Sequence, residues 1–204
     1  METTTSNEPR TIEEVRAFAV GHWESLTVEL RPTEDRAGTG AIEPTRLRRR
    51  FHYRPDDTFT GVISQYGDDY GELHLLDFEF KGHLVWGGPH PIADGAFEID
   101  YVLDEAFAVT PVVPDIAAML NQGRPADLDE FAPGVRQDIL GKAFPLFDIA
   151  AGQILTDYDL VYFVNGLLFM GAKHVDGTPF DQPERRPHQL QIPLVRVTDD
   201  GASS

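Results

Sequence analysis

The sequence predicts a mainly β protein, an antiparallel barrel of about eight strands. Three observations carry this reading. Alternating apolar and polar runs recur from Trp23 to Tyr101, with turn signals between them. Asn165-Gly166, the strongest short-range hairpin signal in the chain, joins two further apolar runs. Between these regions, residues 110–150 change texture and read as a helical insertion before the last hairpin.

Each element follows in order. Thr11 caps "IEEVRAFA", acidic residues fill the first turn and Gly21 stops a short helix. "WESLTVELR" is the first strand, and "PTEDRAGTGAIEP" is a loop broken by Gly and Pro. "TRLRRRFHYR" alternates with Leu47, Arg49, Phe51 and Tyr53 on one face, then "PDD" turns into the strand "TFTGVISQYG". "ELHLLDFEFKGHLVW" is a long strand or bent pair, with His74, Leu76, Phe78 and Phe80 sharing a face. "AFEIDYVLD" sets Phe97, Ile99, Tyr101 and Leu103 against Glu98, Asp100 and Val102. Pro114 and Asp115 open a helix that ends near Asn121 to Gly123. "HQLQIPLVRV" closes the chain as a strand at an edge or bulge, because Pro193 has no N–H to donate. The expected unit is one domain over residues 11–198, with 1–10 and 199–204 as tails.

Composition excludes several functions. Net charge is −17 over 204 residues, so phosphate backbones and anionic membranes repel the chain and nucleic-acid and membrane partners are not expected. No window approaches the ~20 apolar residues that span a bilayer. The polar, acidic start lacks the features of a secretory signal, so the expected compartment is the cytoplasm. There is no Cys, which removes disulfides, cysteine nucleophiles and thiolate metal sites. No nucleotide, nicotinamide or flavin fingerprint and no nucleophile elbow is present, so no cofactor is expected. The seven histidines form no metal-binding spacing, and no metal is expected.

The order Trp23, Glu29, Arg31-Pro32, then Arg49, Phe51, Thr58-Phe59, then Lys81-Gly82, Gly95, Glu98 and Tyr101, resembles the adenomatosis-polyposis-coli-down-regulated domain family. The likeness covers roughly residues 20–105, with "LQIPLVRV" similar at the end. It implies a calycin-like (lipocalin-like) barrel around an apolar cavity. In animal members that cavity is associated with lipid-modified signalling proteins. Members outside the cell carry cysteines; this chain has none, so that role is not carried over. In barrels similar to lipocalins, a first-strand Trp packs at the closed end beneath an Arg from the last strand. Trp23 and Arg196 are the residues that fit those structural roles, with a ligand-stacking Trp23 as the alternative.

The candidate catalytic residues are Glu29, Arg31, Arg49, His74 and Glu98. Charged groups turned into a barrel are costly unless paired. Two readings stand: an ion-paired plug, or the polar end of an apolar pocket where Arg fixes an oxygen and Glu moves a proton. His74 is the candidate titrating group. Phe51, Tyr53, Phe78, Phe80, Trp86, Tyr101, Met119 and Met170 are the candidate ligand-binding residues, each with a plain core reading beside it. The insertion is a candidate lid. Trp23 and the Glu29–Arg31 pair lie about 20 Å apart at ~3.3 Å per residue, so the strand can run from a plug to a pocket rim.

The expected function is binding of a hydrophobic small molecule and its cofactor-independent isomerisation or cyclisation. The alternatives are a non-catalytic carrier or sensor of an acyl ligand, and an assembly module that forms a homodimer through exposed strand faces.

Overall fold

A computed structural model describes residues 8–32, 44–145, 148–174 and 178–197. Thr11 caps α1 (Ile12–Ala19) through a capping box: the Glu14 N–H donates to Thr11 Oγ1, and Glu14 accepts from the Thr11 N–H. The fold takes in residues before Thr11. Arg10 pairs with Asp94, and the Asn165 N–H donates to Glu8.

The strands are β1 (Gly21–Ser25), β2 (Glu29–Pro32), β3 (Pro44–Tyr53), β4 (Thr58–Tyr66), β5 (His74–Pro89) and β6 (Ala96–Pro111). After α2 (Pro114–Asn121) come the short β7 (Gln137–Asp138), then β8 (Leu155–Val164), β9 (Leu167–Met170) and β10 (Leu194–Val197). Every pairing is antiparallel. The sheet runs β1-β10-β9-β8-β6-β5-β4-β3, and β1 also pairs with β3, so eight strands close a barrel. Asn165 and Gly166 both have positive φ, 53° and 74°, and make the tight β8–β9 turn.

The first predicted strand is two pieces, both paired with β3. Between the Glu24–Arg50 and Glu29–Leu47 pairs, four residues face two. The surplus bulges outward, leaving Leu26 77% exposed. An even surplus returns Glu29 to the inward face of Trp23, as side chains alternate with period two.

One end of the barrel is closed. α1 lies over it, and Val15, Ala19, Trp23 and Phe163 join the core that fills the barrel. Phe51, Tyr53, Phe59, Phe80 and Tyr101 form a continuous aromatic cluster above this floor. Gly61 faces the ring of Phe80; a Cβ there would lie 2.0 Å from it, so the ring sits where only glycine leaves room. At the other end β5 and β6 run on, and residues of α2 and the chain up to Ile149 pack on their extensions as a second core with Leu76, Phe78 and Val109. No helix among the described residues is long and apolar enough to cross a membrane.

Candidate functional site

The closed end is built on Trp23. Its indole N–H donates to the Ala19 carbonyl at 2.7 Å. Arg196 stands opposite it across the β1–β10 pair, with its guanidinium carbon 4.4 Å from the Trp23 ring centroid. The same guanidinium donates to the Val20 carbonyl at 2.7 Å and to the Phe18 carbonyl, so it also ties the end of α1 to the seam.

Further along the lumen, Glu29 and Arg49 are buried, 1% and 2% exposed. Glu29 Oε1 accepts from Ser25 Oγ at 2.5 Å and Arg49 Nε at 2.9 Å; Oε2 accepts from Arg31 Nη2 at 2.8 Å and Nε at 3.1 Å. Arg49 also donates from Nη1 to Met170 Sδ at 3.3 Å and from Nη2 to the Ile192 carbonyl at 2.6 Å. Burial works to raise the Glu29 carboxyl, but Arg49, Arg31 and the Ser25 hydroxyl outweigh it and hold it below the usual carboxylate range. Burial, then repulsion from Arg31, pulls Arg49 down to about 10. Glu29 is therefore an ionised structural centre with both oxygens engaged by donors. The proton-moving role expected of it does not fit this arrangement.

That role fits two residues the sequence reading passed over. On β8, Asp157 is opposite Tyr101 and Asp159 opposite Ile99, and directly opposed residues share a face. Tyr101 and Ile99 are lumen residues, so both carboxyl groups enter the barrel. Asp159 is buried, and its Oδ1 accepts from the Leu160 N–H at 2.7 Å and the Gly171 N–H at 2.8 Å. A Cβ on Gly171 would lie 2.5 Å from that oxygen and 1.8 Å from Pro187, so glycine is required there. Asp157 is exposed, although it points inward. Leu155, two residues before it on the same face, and Ile63, Phe80 and Phe107 elsewhere on the inward face are also only half-buried, packed against the two cores. Asp157 itself keeps contact with solvent. Protein walls still surround it. The protein around it, then the Asp159 charge, raise the Asp157 carboxyl above the usual range, while Lys173, Arg31 and its contact with solvent work the other way. Burial raises Asp159 too, against its two N–H donors and the charges of Arg49 and Arg31. Beside them the Tyr53 and Tyr101 hydroxyls share a 2.8 Å hydrogen bond, and burial keeps both phenols protonated.

The other expected site residues divide. Arg31, Arg49, Phe51, Tyr53, Phe80, Tyr101 and Met170 reach the lumen. Phe78 faces inward too, but packs in the second core at the far end. Trp86 lies at the closed end, where its N–H donates to Asp57 at 2.9 Å. Three expectations are corrected. A bulge between Gln65 and Tyr66 shifts the register, so His74 leaves the face of Leu76 and Phe78; it stacks on Tyr66 and binds Asp77 on the outside. Glu98 lies on the outer face of β6 beside Arg186, which also pairs with Asp100. Met119 is 40% exposed on α2 and lines nothing in the lumen. Among the described residues no group of three or more His, Asp or Glu is placed to hold a metal.

Fold and site together define a closed calycin-like barrel whose lumen is aromatic at its sealed end and charged towards its mouth. No protein-family model and no curated protein matches this sequence. The resemblance stated above rests on the order of its motifs.

Proposed function

We propose that the barrel binds a largely apolar small molecule in its lumen and catalyses a cofactor-independent isomerisation or cyclisation. The observation that supports this is the Asp157–Asp159 pair, one carboxyl accessible and one buried, in an aromatic lumen. Asp157 holds its proton towards neutral pH and can give it to a ligand oxygen or double bond. The Asp159 carboxylate, held by two N–H groups, can take one back. One turnover leaves the proton on Asp159 and the charge on Asp157; proton transfer from Asp159 back to Asp157, directly or through solvent at the accessible carboxyl, restores the site, and no oxidant or reductant is needed. The aromatic walls exclude water and favour developing positive charge.

A carrier is the second reading, favoured by Lys173 and Arg31 acting on Asp157: together they can hold a head group with no proton moved. Native mass spectrometry of the purified full chain, followed by chromatography of the released ligand, separates the two. The enzyme reading expects a product of unchanged mass and changed retention with the wild type and not with Asp157→Asn. Identical chromatograms for the two proteins would leave only the carrier, and a chain that never holds a small molecule would sink both.

A further inference from the structure

A second concavity lies at the sealed end, away from the charged lumen. It is a groove of about 410 Å³ between α1, the turn after β3 and the middle of β5. Leu84 and Trp86 form an apolar wall, Ala17 lies at its helical edge, and Arg16, Arg54 and Asp57 supply charge.

The charges do not cancel. Asp57 is fully engaged: Oδ1 accepts from the Trp86 N–H at 2.9 Å, and Oδ2 from Arg16 at 2.5 Å. Arg54 Nη1 is buried and has no acceptor among the described residues. Within the lining two guanidinium groups meet one carboxylate; Asp56, just outside it, acts on Arg54 through space but supplies no acceptor to its Nη1. Nη1 itself is out of solvent's reach, so a ligand in the groove meets Arg54 at the part of its side chain that is exposed there, and an acceptor joining that guanidinium adds to its incomplete set of partners.

We infer that this groove binds a small amphiphilic carboxylate, with its head on Arg54 and its apolar body along Leu84 and Trp86. A guanidinium matches a carboxylate in charge and shape. The volume lies within the range of small-molecule sites. Neither Asp157 nor Asp159 lines this groove.

The chain has two tryptophans, Trp23 buried in the core and Trp86 in the groove, so tryptophan fluorescence reports occupancy. The experiment titrates the full chain with sodium decanoate below its micelle concentration, with inorganic phosphate as the competitor. Saturable binding is expected. Arg54→Met and Ala17→Phe are each expected to weaken it about tenfold or more, while Asp157→Asn, which is no part of the groove lining, binds as the wild type does. Ala17 is exposed on α1, so Ala17→Phe blocks the groove without touching the core, and decides the matter even where Arg54→Met fails to fold. Wild-type affinity in Ala17→Phe, competition by phosphate as strong as by decanoate, or loss of binding in Asp157→Asn alone would each overturn the assignment.

Discussion

Glu29 and Arg49 hold each other inside the barrel, Nε to Oε1 at 2.9 Å, with almost no solvent contact on either side chain. Removing one partner strands the other's charge in the interior. Glu29→Gln and Arg49→Met should therefore each cost about 3–5 kcal/mol, read from urea unfolding at neutral pH. The double variant Glu29→Gln/Arg49→Met should lose clearly less than the two single losses combined, because the buried Arg49 charge is removed together with its partner; Arg31 loses its carboxylate in Glu29→Gln and in the double variant alike. Additive losses would contradict the pairing.

The lumen acids and Glu29 pull stability in opposite directions with pH. Asp157 and Asp159 have raised pKa values in the folded state, so the folded chain binds more protons than the unfolded one. Their contribution is fully present below the ordinary carboxylate pKa and is lost as pH rises through the raised values. Glu29 is lowered, so its contribution is present above the ordinary carboxylate pKa and is lost as pH falls through the folded value. Stability should peak in the mildly acidic range and decline towards alkaline pH. In Asp157→Asn/Asp159→Asn the alkaline decline should flatten while the acid limb stays. An unchanged alkaline limb in that variant would show that other groups control it.

Arg196 binds the Trp23 ring and two carbonyls of the chain leaving α1. Trp23→Ala should cost about 3–5 kcal/mol in thermal or chemical unfolding. Arg196→Lys should not rescue Arg196→Ala, because an ammonium cannot stack flat on indole while donating sideways to both carbonyls. Full stability in Arg196→Lys would reduce the interaction to its charge.

The corrected placements give a contrast within one binding assay. His74→Ala and Glu98→Gln alter outer-face contacts and should leave uptake of a small apolar ligand unchanged, as measured by native mass spectrometry. Asp157→Arg places a long cation in the solvent-contacted part of the lumen and should reduce uptake about tenfold or more, as repulsion from Arg31 and Lys173 adds to the steric block. Reduced uptake in His74→Ala would return that residue to the site.

Much of the fold was legible because its signals are local. The Thr11 capping box, the Asn165-Gly166 turn and the alternation of Leu47 to Tyr53 each depend on a few adjacent residues. The site was only partly so. His74 was misplaced because a bulge inverts a period-two pattern without changing its composition. Glu98 lies on the face its own strand's alternation assigned to it, opposite Ile99 and Tyr101; only the family resemblance had drawn it into the pocket. Asp157 and Asp159 were overlooked because "TDYDLVYF" alternates either way until its partner strand is known. The register against Tyr101 and Ile99 decides which half of that pattern faces inward.

The seam that seals the barrel joins residues far apart along the chain: Arg196 reaches a carbonyl 176 positions away. Closing so long a loop carries a high entropic cost before any contact repays it, so the β1–β10 seam should form late and slowly. During synthesis, β1 waits with one edge unpaired and its tryptophan uncovered until β10 emerges from the ribosome. In the cell, the protein's most vulnerable moment is therefore its birth, when an open β-edge invites association with other nascent chains.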